Sequence, residues 1–204
     1  MQELSAGILT GGQAQRLQSL GPHTDKGLLL LQQKPLIAWT AQRLQPYVSG
    51  PLLISANRHL KAYAAYGEVH SDPDFLEAYQ GPLAGLLALL KACPTDWLVV
   101  LPVDMPLLPK SLVMDLWQAH LQQPAAPAFY VHYGRDYPLC LLLRQNSVDS
   151  LADYLNTGQR RVRDWLHRLP AQVVQPQGYS AEHFLNINTP ADLAAIESKM
   201  QAMD

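Results

Sequence analysis

Cysteine and net charge are both scarce in this sequence, and their scarcity argues against several classes of protein. The two cysteines, Cys93 and Cys140, are far apart and lack the CxxC spacing of a zinc or redox site, which favours two reduced thiols. The formal net charge of −2 leaves no basic surplus, so we expect no nucleic-acid partner bound chiefly through its phosphates. No apolar run approaches the roughly 18 residues that span a bilayer, so we expect no membrane partner.

Familiar catalytic patterns are missing as well. The seven histidines form no metal-ligand spacing, the chain has no GxSxG motif, and neither cysteine has an obvious activating partner. The sequence therefore gives no support to a hydrolase or a zinc enzyme. The amino terminus carries an acidic residue, Glu3, and only a short apolar run, which predicts a first strand rather than a signal peptide and hence a cytoplasmic protein.

Apolar runs alternate with amphipathic stretches along the first half of the chain. The 204 residues, 48% of them hydrophobic, suit one domain with one sizeable core over residues 1–204. The predicted strands are Leu4–Leu9, Pro51–Arg58 and Asp96–Pro106, and the predicted helices between them are Pro35–Gln45 and Gly81–Cys93. This order predicts an α/β fold, a three-layer αβα sandwich around a mostly parallel, Rossmann-like sheet.

The second half continues the pattern less regularly. The predicted helices are Lys110–Gln122, Ser147–Leu155, Val162–Leu169 and a last one that begins after Thr189; the predicted strands are Ala128–His132 and Tyr137–Arg144, with weaker ones at "QVVQP" and "FLNIN". The last helix has a threonine cap followed by a proline in its first turn, which favours a helix start.

Polar residues follow each of the first three predicted strands, where ligands bind in open α/β sheets. They are Gly11, Gly12 and Arg16, then Ser55, Asn57 and Arg58, then Asp104. Glycines let backbone N–H groups approach a ligand, and Arg16 and Lys26 can neutralise phosphate oxygens, so a nucleotide phosphate would fit. The spacing matches neither the P-loop nor GxGxxG, and the alternative is that the two glycines merely turn the chain.

A carboxylate stands directly after the apolar segment "LVVLPV". There Asp104 could hold a divalent cation against a triphosphate, or it could simply cap the turn before the next helix. Asp72, in "HSDPDF", has a weaker case because "DPD" is also a common turn sequence. Asn57 could bind a base or ribose edge, or form an Asx turn.

Several segments, in order, resemble the signature segments of molybdenum cofactor guanylyltransferases. They are "GILTGGQAQRL…DKGLLLLQQKPLI", "SANRH", "GPLAGLLALL", "LPVDMPLLP", "QRRVRDWL" and "FLNINTPADL", and the likeness runs from Ala6 to about Ile196. The resemblance implies a nucleotidyltransferase that moves GMP from GTP to molybdopterin with Mg²⁺ and releases pyrophosphate. It also implies transient contacts with cofactor-biosynthesis proteins and acceptor molybdoenzymes.

The resemblance also implies roles for individual residues. Leu9, Thr10, Gly11, Gly12, Ser55 and Asn57 would contact GTP, Lys26 the phosphates, Asp72 the guanosine, and Asp104 both Mg²⁺ and GTP, with Lys26, Asp104 and Arg16 as the catalytic set. Asn186 and Asn188 would lie near the pterin, and Arg160 and Arg161 would bind its phosphate or else only begin a surface helix. The nucleotide half would span about 1–108 and the acceptor half about 109–200.

Three features of this chain depart from the family pattern. Ser55 replaces the first asparagine of the usual "NANR", the segment between Arg16 and Lys26 is longer than usual, and Tyr137 stands where relatives often have histidine. A hydroxyl can still donate or accept a hydrogen bond but reaches less far than an amide. The departures leave Gly11, Lys26 and Asp104 in place.

Three alternative functions compete with guanylyl transfer. A cytidylyltransferase acting on the same pterin would tend to have alanine in place of Gly11. A sugar-nucleotide or other small-molecule nucleotidyltransferase would lack the "NINTP" and "QRRVRDWL" segments. A silent GTP-binding module need not keep both Lys26 and Asp104, which we expect to converge at one rim of the sheet.

Overall fold

The computed structural model describes residues 4–11, 17, 25–48, 50–73 and 81–201. Two predicted site residues, Gly12 and Arg16, lie outside these ranges, and so does most of the long segment that precedes Lys26.

The described helices and strands follow the predicted alternation. The strands are β1 Leu4–Leu9, β2 Leu30–Leu31, β3 Lys34–Pro35, β4 Leu53–Ser55, β5 Glu68–His70, β6 Trp97–Pro102, β7 Ala128–Tyr133, β8 Arg135–Arg144 and β9 Gln172–Val174. The α-helices are α1 Leu36–Leu44, α2 Leu60–Tyr63, α3 Pro82–Ala92, α4 Leu112–Gln122, α5 Val148–Asn156, α6 Val162–Arg168 and α7 Pro190–Gln201. Short 3₁₀ helices cover Lys26–Leu28, Gln45–Tyr47, Gln145–Ser147 and Ala181–Phe184.

The central sheet has the strand order β5-β4-β1-β6-β8-β7-β9, and β2 and β3 form a separate hairpin. Strands β5, β4, β1 and β6 run parallel, as do β7 and β9, whereas β8 is antiparallel to both of its neighbours. The mostly parallel sheet is therefore confirmed, with one reversed strand.

The two faces of the sheet carry two separate apolar clusters. In β6, Val99 and Leu101 join one cluster with α1 and α4, while Leu98 and Val100 join the other with α3, α5 and α6. Because a strand covered on both sides needs apolar residues on both, its sequence is a continuous apolar run. The three-layer αβα sandwich is confirmed.

The reversed strand β8 places its first residues beside the end of β6. A turn at Gly134, with φ of 68°, joins β7 to β8. The antiparallel register pairs Val100 with Leu141, so the beginning of β8 lies next to the loop that carries Asp104. The first residues of β8, from the second half of the chain, thus reach the carboxyl ends of the parallel strands of the first half.

The predicted strand at "FLNIN" is wrong. Phe184 ends the 3₁₀ helix Ala181–Phe184, and the residues after it form no described strand. Their backbone bond to the rest of the sheet edge runs from the N–H of Ile187 to the carbonyl of Asp104 at 2.9 Å, and Phe184 and Ile187 are both buried. Apolar and polar residues alternate here because Phe184 and Ile187 are buried in the core, not because the segment pairs with a neighbouring strand.

Two smaller observations bear on the sequence predictions. Cys93 and Cys140 are both buried and unbridged. Within the described ranges, no helix combines the length and the apolar character needed to cross a membrane.

Candidate active site

A cavity of about 540 Å³ opens at the carboxyl ends of the parallel strands. Its walls include the residues after β1 and β4, the loop after β6, and the start of β8. This is where open α/β sheets bind their ligands.

Lys26 and Asp104 meet at the rim of this cavity. The Lys26 Nζ donates to Asp104 Oδ2 at 2.7 Å and to Asn188 Oδ1 at 2.8 Å. The Lys26 side chain is only 11% exposed and that of Asp104 19%, so the ion pair is shielded from water. The predicted convergence of these two residues is confirmed, while their roles in the reaction stay predictions.

The position of Lys26 depends on the residues on either side of it. Asp25 caps the 3₁₀ helix: its Oδ1 accepts the N–H of Gly27 at 3.2 Å and also the hydroxyl of Tyr63. A Cβ on Gly27 would lie 2.4 Å from the Tyr63 oxygen, so no side chain fits there. Burial, together with the bond to Asp25, raises the pKa of Tyr63 well above its usual range.

In "DKG", the sequence pattern points only to the lysine. The structure shows that Asp25 and Gly27 fix the backbone that presents it. Arg58, whose Nη2 lies 3.8 Å from Asp25 Oδ2, adds a second charge to this support.

The second oxygen of Asp104 has no partner in the described part of the chain. Its Oδ1 is buried and makes no hydrogen bond there. An unpaired carboxylate oxygen at a cavity wall is the kind of ligand that Mg²⁺ takes. The described residues contain no group of three or more His, Cys, Asp or Glu that could hold a metal, but Mg²⁺ commonly uses one or two carboxylates plus substrate phosphates. Asp104 therefore fits the predicted metal site.

The first two strands bring Thr10 and Ser55 together beneath the cavity. Thr10 Oγ1 donates to the carbonyl of Ser55 at 2.6 Å, and both residues are buried. The hydroxyl of Ser55 sits against α3 at Gly85, where a Cβ would lie 2.2 Å from it. Gly85 thus allows α3 to approach β4 closely. Leu9, Gly11 and Ser55 line the cavity.

Asn57 and Asp72 form a reciprocal pair. The Asn57 amide donates to Asp72 Oδ2 at 2.8 Å, and its oxygen accepts the Asp72 N–H at 2.8 Å. Burial raises the pKa of the Asp72 carboxyl, and the Asn57 bond partly offsets this. Because β4 and β5 are parallel neighbours, their ends bring these two predicted nucleotide contacts to the same wall.

The opposite wall is built largely from the start of β8. Arg135 donates from Nη2 to Asn186 Oδ1 at 3.2 Å, and its guanidinium lies 5.0 Å from the ring centre of Tyr137. Asp136 Oδ1 lies within hydrogen-bond distance of His132 Nδ1, at 2.6 Å, and Asp136 Oδ2 pairs with Arg163 Nη2 at 3.2 Å. Arg135, Asp136 and Arg163 are not among the predicted site residues, because no local sequence pattern shows that β8 runs antiparallel to its neighbours.

Arg160 and Arg161 lie elsewhere. Arg160 Nη1 donates to the carbonyls of Leu155 and Gln159, at 2.8 and 2.7 Å, and so caps the end of α5. Arg161 is the exposed residue before α6, and its carbonyl accepts the hydroxyl of Tyr154. Neither residue is among the described cavity walls, whereas Arg163 is. Of the "QRRVR" arginines, the last one reaches the candidate site.

Comparison with known proteins gives a consistent result. A family model described as a MobA-like NTP transferase domain matches residues 6–173. A molybdenum cofactor guanylyltransferase from Polynucleobacter asymbioticus is 37% identical over 201 residues, 95% of each chain. One from Cupriavidus taiwanensis is 41% identical over 202 residues, 94% of this chain and 95% of the relative.

A solved structure shares the fold. Molybdopterin-guanine dinucleotide biosynthesis protein A from Archaeoglobus fulgidus superposes with a TM-score of 0.78 and 22% sequence identity. The match covers 98% of this chain and 100% of that one.

Proposed function

This chain belongs to the MobA-like NTP transferase family, and we propose that it transfers GMP from GTP to the phosphate of molybdopterin. The products are the molybdopterin guanine dinucleotide cofactor and pyrophosphate. The meeting of Lys26 and Asp104 at the cavity rim carries the proposal, in a chain whose relatives bear the name molybdenum cofactor guanylyltransferase.

The chemistry asks mainly for alignment and charge neutralisation. An oxygen of the acceptor phosphate attacks the α-phosphorus of GTP, the bond from that phosphorus to the bridging oxygen breaks, and pyrophosphate leaves. A phosphate monoester is already anionic at neutral pH, so the acceptor needs no strong general base. The Lys26 ammonium stabilises the negative charge on the phosphate oxygens.

Asp104 is the residue that would hold Mg²⁺, through its unpaired Oδ1. The metal, when bound, neutralises triphosphate charge and favours the departure of pyrophosphate. Asp104 also keeps Lys26 at the same rim, so one carboxylate serves the metal and the ammonium.

In this proposal each half of the cavity binds one of the two substrates. Residues 1–108 hold GTP, with Asn57 and Asp72 as one support for the nucleoside. Residues 109–200 hold the pterin, with Asn186 on that wall. Transient contacts with cofactor-biosynthesis proteins and acceptor molybdoenzymes belong to the same proposal, because the product must be handed on. The cytoplasmic location stays a prediction.

A product assay tests the function directly. Purified protein is incubated with Mg²⁺, molybdopterin and each nucleoside triphosphate separately, and the product is identified by mass. We expect the guanine dinucleotide with GTP. A cytosine dinucleotide made preferentially would show a cytidylyltransferase, and GTP binding without any product would show a silent module.

Gly11→Ala is expected to lower the preference for GTP over CTP. A Cβ there would meet no atom of the described residues within 4 Å, so the added methyl takes space at the cavity wall without displacing any of them. One methyl group in a specificity pocket changes selectivity by roughly tenfold or more. The ratio of kcat/KM values for the two triphosphates measures the effect.

Gly50→Ala is the matched control for this substitution. Gly50 also has open space around an added Cβ, but it is not among the described residues at the cavity walls. An unaltered GTP to CTP ratio in Gly11→Ala would place base selection on other residues.

A further inference from the structure

Two asparagines of one short segment contact two different cations. Asn188 accepts from Lys26 Nζ at 2.8 Å, and Asn186 accepts from Arg135 Nη2 at 3.2 Å. Lys26 begins the 3₁₀ helix Lys26–Leu28 in the first half of the chain, whereas Arg135 begins β8 on the opposite wall. The segment 186–188 therefore touches both halves of the cavity.

The segment is fixed at its middle residue and at its carboxyl end. Ile187 is fully buried, and its N–H donates to the carbonyl of Asp104 at 2.9 Å. The N–H groups of Asn188 and Thr189 both donate to Asp192 Oδ2, at 2.9 and 2.8 Å, and the Asp192 N–H donates to Thr189 Oγ1 at 3.2 Å. This reciprocal cap at the start of α7 holds the Asn188 backbone in place.

An ammonium has three N–H donors. Among the residues that the structure describes, Asp104 and Asn188 accept two of those on Lys26, which leaves the third for a ligand. Two fixed acceptors also determine the direction of the third N–H. If Asp104 were the only acceptor, the ammonium could rotate about that one hydrogen bond. Asp104 therefore balances the charge of Lys26, and Asn188 fixes the orientation of its ammonium group.

We propose that Asn188 is a positioning residue for the nucleotide, orienting Lys26 toward the triphosphate, and that Asn186 positions Arg135 for an anionic group of the acceptor. The proposal rests on the function proposed above. It moves Asn188 from the pterin side, where the family resemblance would place it, to the GTP side. It also gives Arg135 a ligand class, a phosphate or other anion, for which a guanidinium that uses one of its five donors on Asn186 still has donors to offer.

The experiment measures the Kd for Mg²⁺-GTP and the KM for molybdopterin in each of two single variants of the full chain. Asn188→Ala is expected to raise the Kd for Mg²⁺-GTP, measured calorimetrically without pterin, by about three- to tenfold, the scale of one ordinary hydrogen bond, because the Lys26 charge itself is kept. The KM for molybdopterin is expected to stay within about twofold. Asn186→Ala is expected to raise the KM for molybdopterin and to leave the GTP Kd unchanged.

This crossed pattern separates positioning from general support of the fold. Loss of packing alone would change both substrates in both variants. An effect of Asn188→Ala confined to the KM for molybdopterin, or an unchanged GTP Kd, would overturn the proposal.

A second variant, Asn188→Asp, guards against a poorly folded alanine protein. It keeps an oxygen acceptor for Lys26 and adds a negative charge beside the phosphates, so the GTP Kd is expected to rise, more at low salt than at high salt. A GTP Kd equal to that of the wild type in Asn188→Asp would also overturn the proposal. The wild-type product assay tests the function separately: a wild type that binds GTP but makes no product would refute guanylyl transfer while leaving the binding comparison readable.

Discussion

Asp104→Asn is expected to reduce Mg²⁺-dependent GMP transfer by at least about a hundredfold, the scale of removing one preorganised electrostatic contact to a transition state. The substitution keeps the shape of the side chain and removes its charge. Without that charge the unpaired Oδ1 is a much weaker metal ligand, and the partner of the Lys26 ammonium is a neutral amide. Both contributions to triphosphate neutralisation weaken together.

The measurement is the rate of dinucleotide formation over a range of Mg²⁺ concentrations. We expect the variant to need far more Mg²⁺ and to reach a far lower maximum. Asp96→Asn is the control, because Asp96 is exposed and precedes β6, whereas Asp104 follows the other end of the same strand. Asp96→Asn should keep the wild-type rate.

Stability must be followed in the same experiment. Lys26 is almost fully buried, and removing one partner of a buried ion pair commonly costs about 3–5 kcal/mol. A thermal melt of Asp104→Asn therefore accompanies the kinetics, and activity is compared well below the melting temperature. Wild-type turnover in a folded Asp104→Asn protein would refute the metal role of Asp104.

The parallel strands that lead to the cavity could be predicted because they are buried on both faces. β1 is predicted with the bounds that the structure has, Leu4–Leu9, since all six of its residues are buried between two helical layers and all but Ser5 and Gly7 carry apolar side chains. β5 was missed because Glu68–His70 is three residues long and mostly polar. Such a short strand at the edge of a sheet has too few buried positions to show a period.

The candidate site likewise has one part that could be predicted from the sequence and one part that could not. Lys26 and Asp104 could be expected to converge, because both belong to segments that follow parallel strands and the carboxyl ends of such strands share one edge. The bond from Lys26 to Asn188 crosses 162 positions of sequence. Nothing local in "NINTP" shows which half of the cavity its asparagines face.

The cavity wall built by the start of β8 and by Arg163 is the part that sequence patterns predict least well. Which arginine of "QRRVR" reaches the cavity depends on where α6 begins, and its first residue is Val162. That start leaves Arg161 outside the helix and places Arg163 near Asp136 of β8, at 3.2 Å. A boundary shifted by one or two residues would present a different arginine, and sequence patterns fix helix ends no better than that.

Lys26→Met is expected to raise the Kd for Mg²⁺-GTP by about 10- to 150-fold. The range corresponds to losing one charge-assisted contact of about 1.5–3 kcal/mol. Methionine keeps most of the buried apolar stem and removes the ammonium, so the substitution tests charge more than packing. Lys61→Ala, at an exposed position of α2, is the control and should bind GTP as the wild type does.

The same variant is expected to shift binding of the free metal in the opposite direction. In the wild type, the ammonium 2.7 Å from Asp104 Oδ2 repels a second cation at that carboxylate. Lys26→Met removes this repulsion, so Mg²⁺ titrated without nucleotide should bind more tightly while GTP binds more weakly. A lower Kd for Mg²⁺ together with a higher Kd for GTP would distinguish loss of charge from misfolding, because misfolding would weaken the binding of both ligands. An unchanged GTP Kd in Lys26→Met would show that the lysine does not contact the triphosphate.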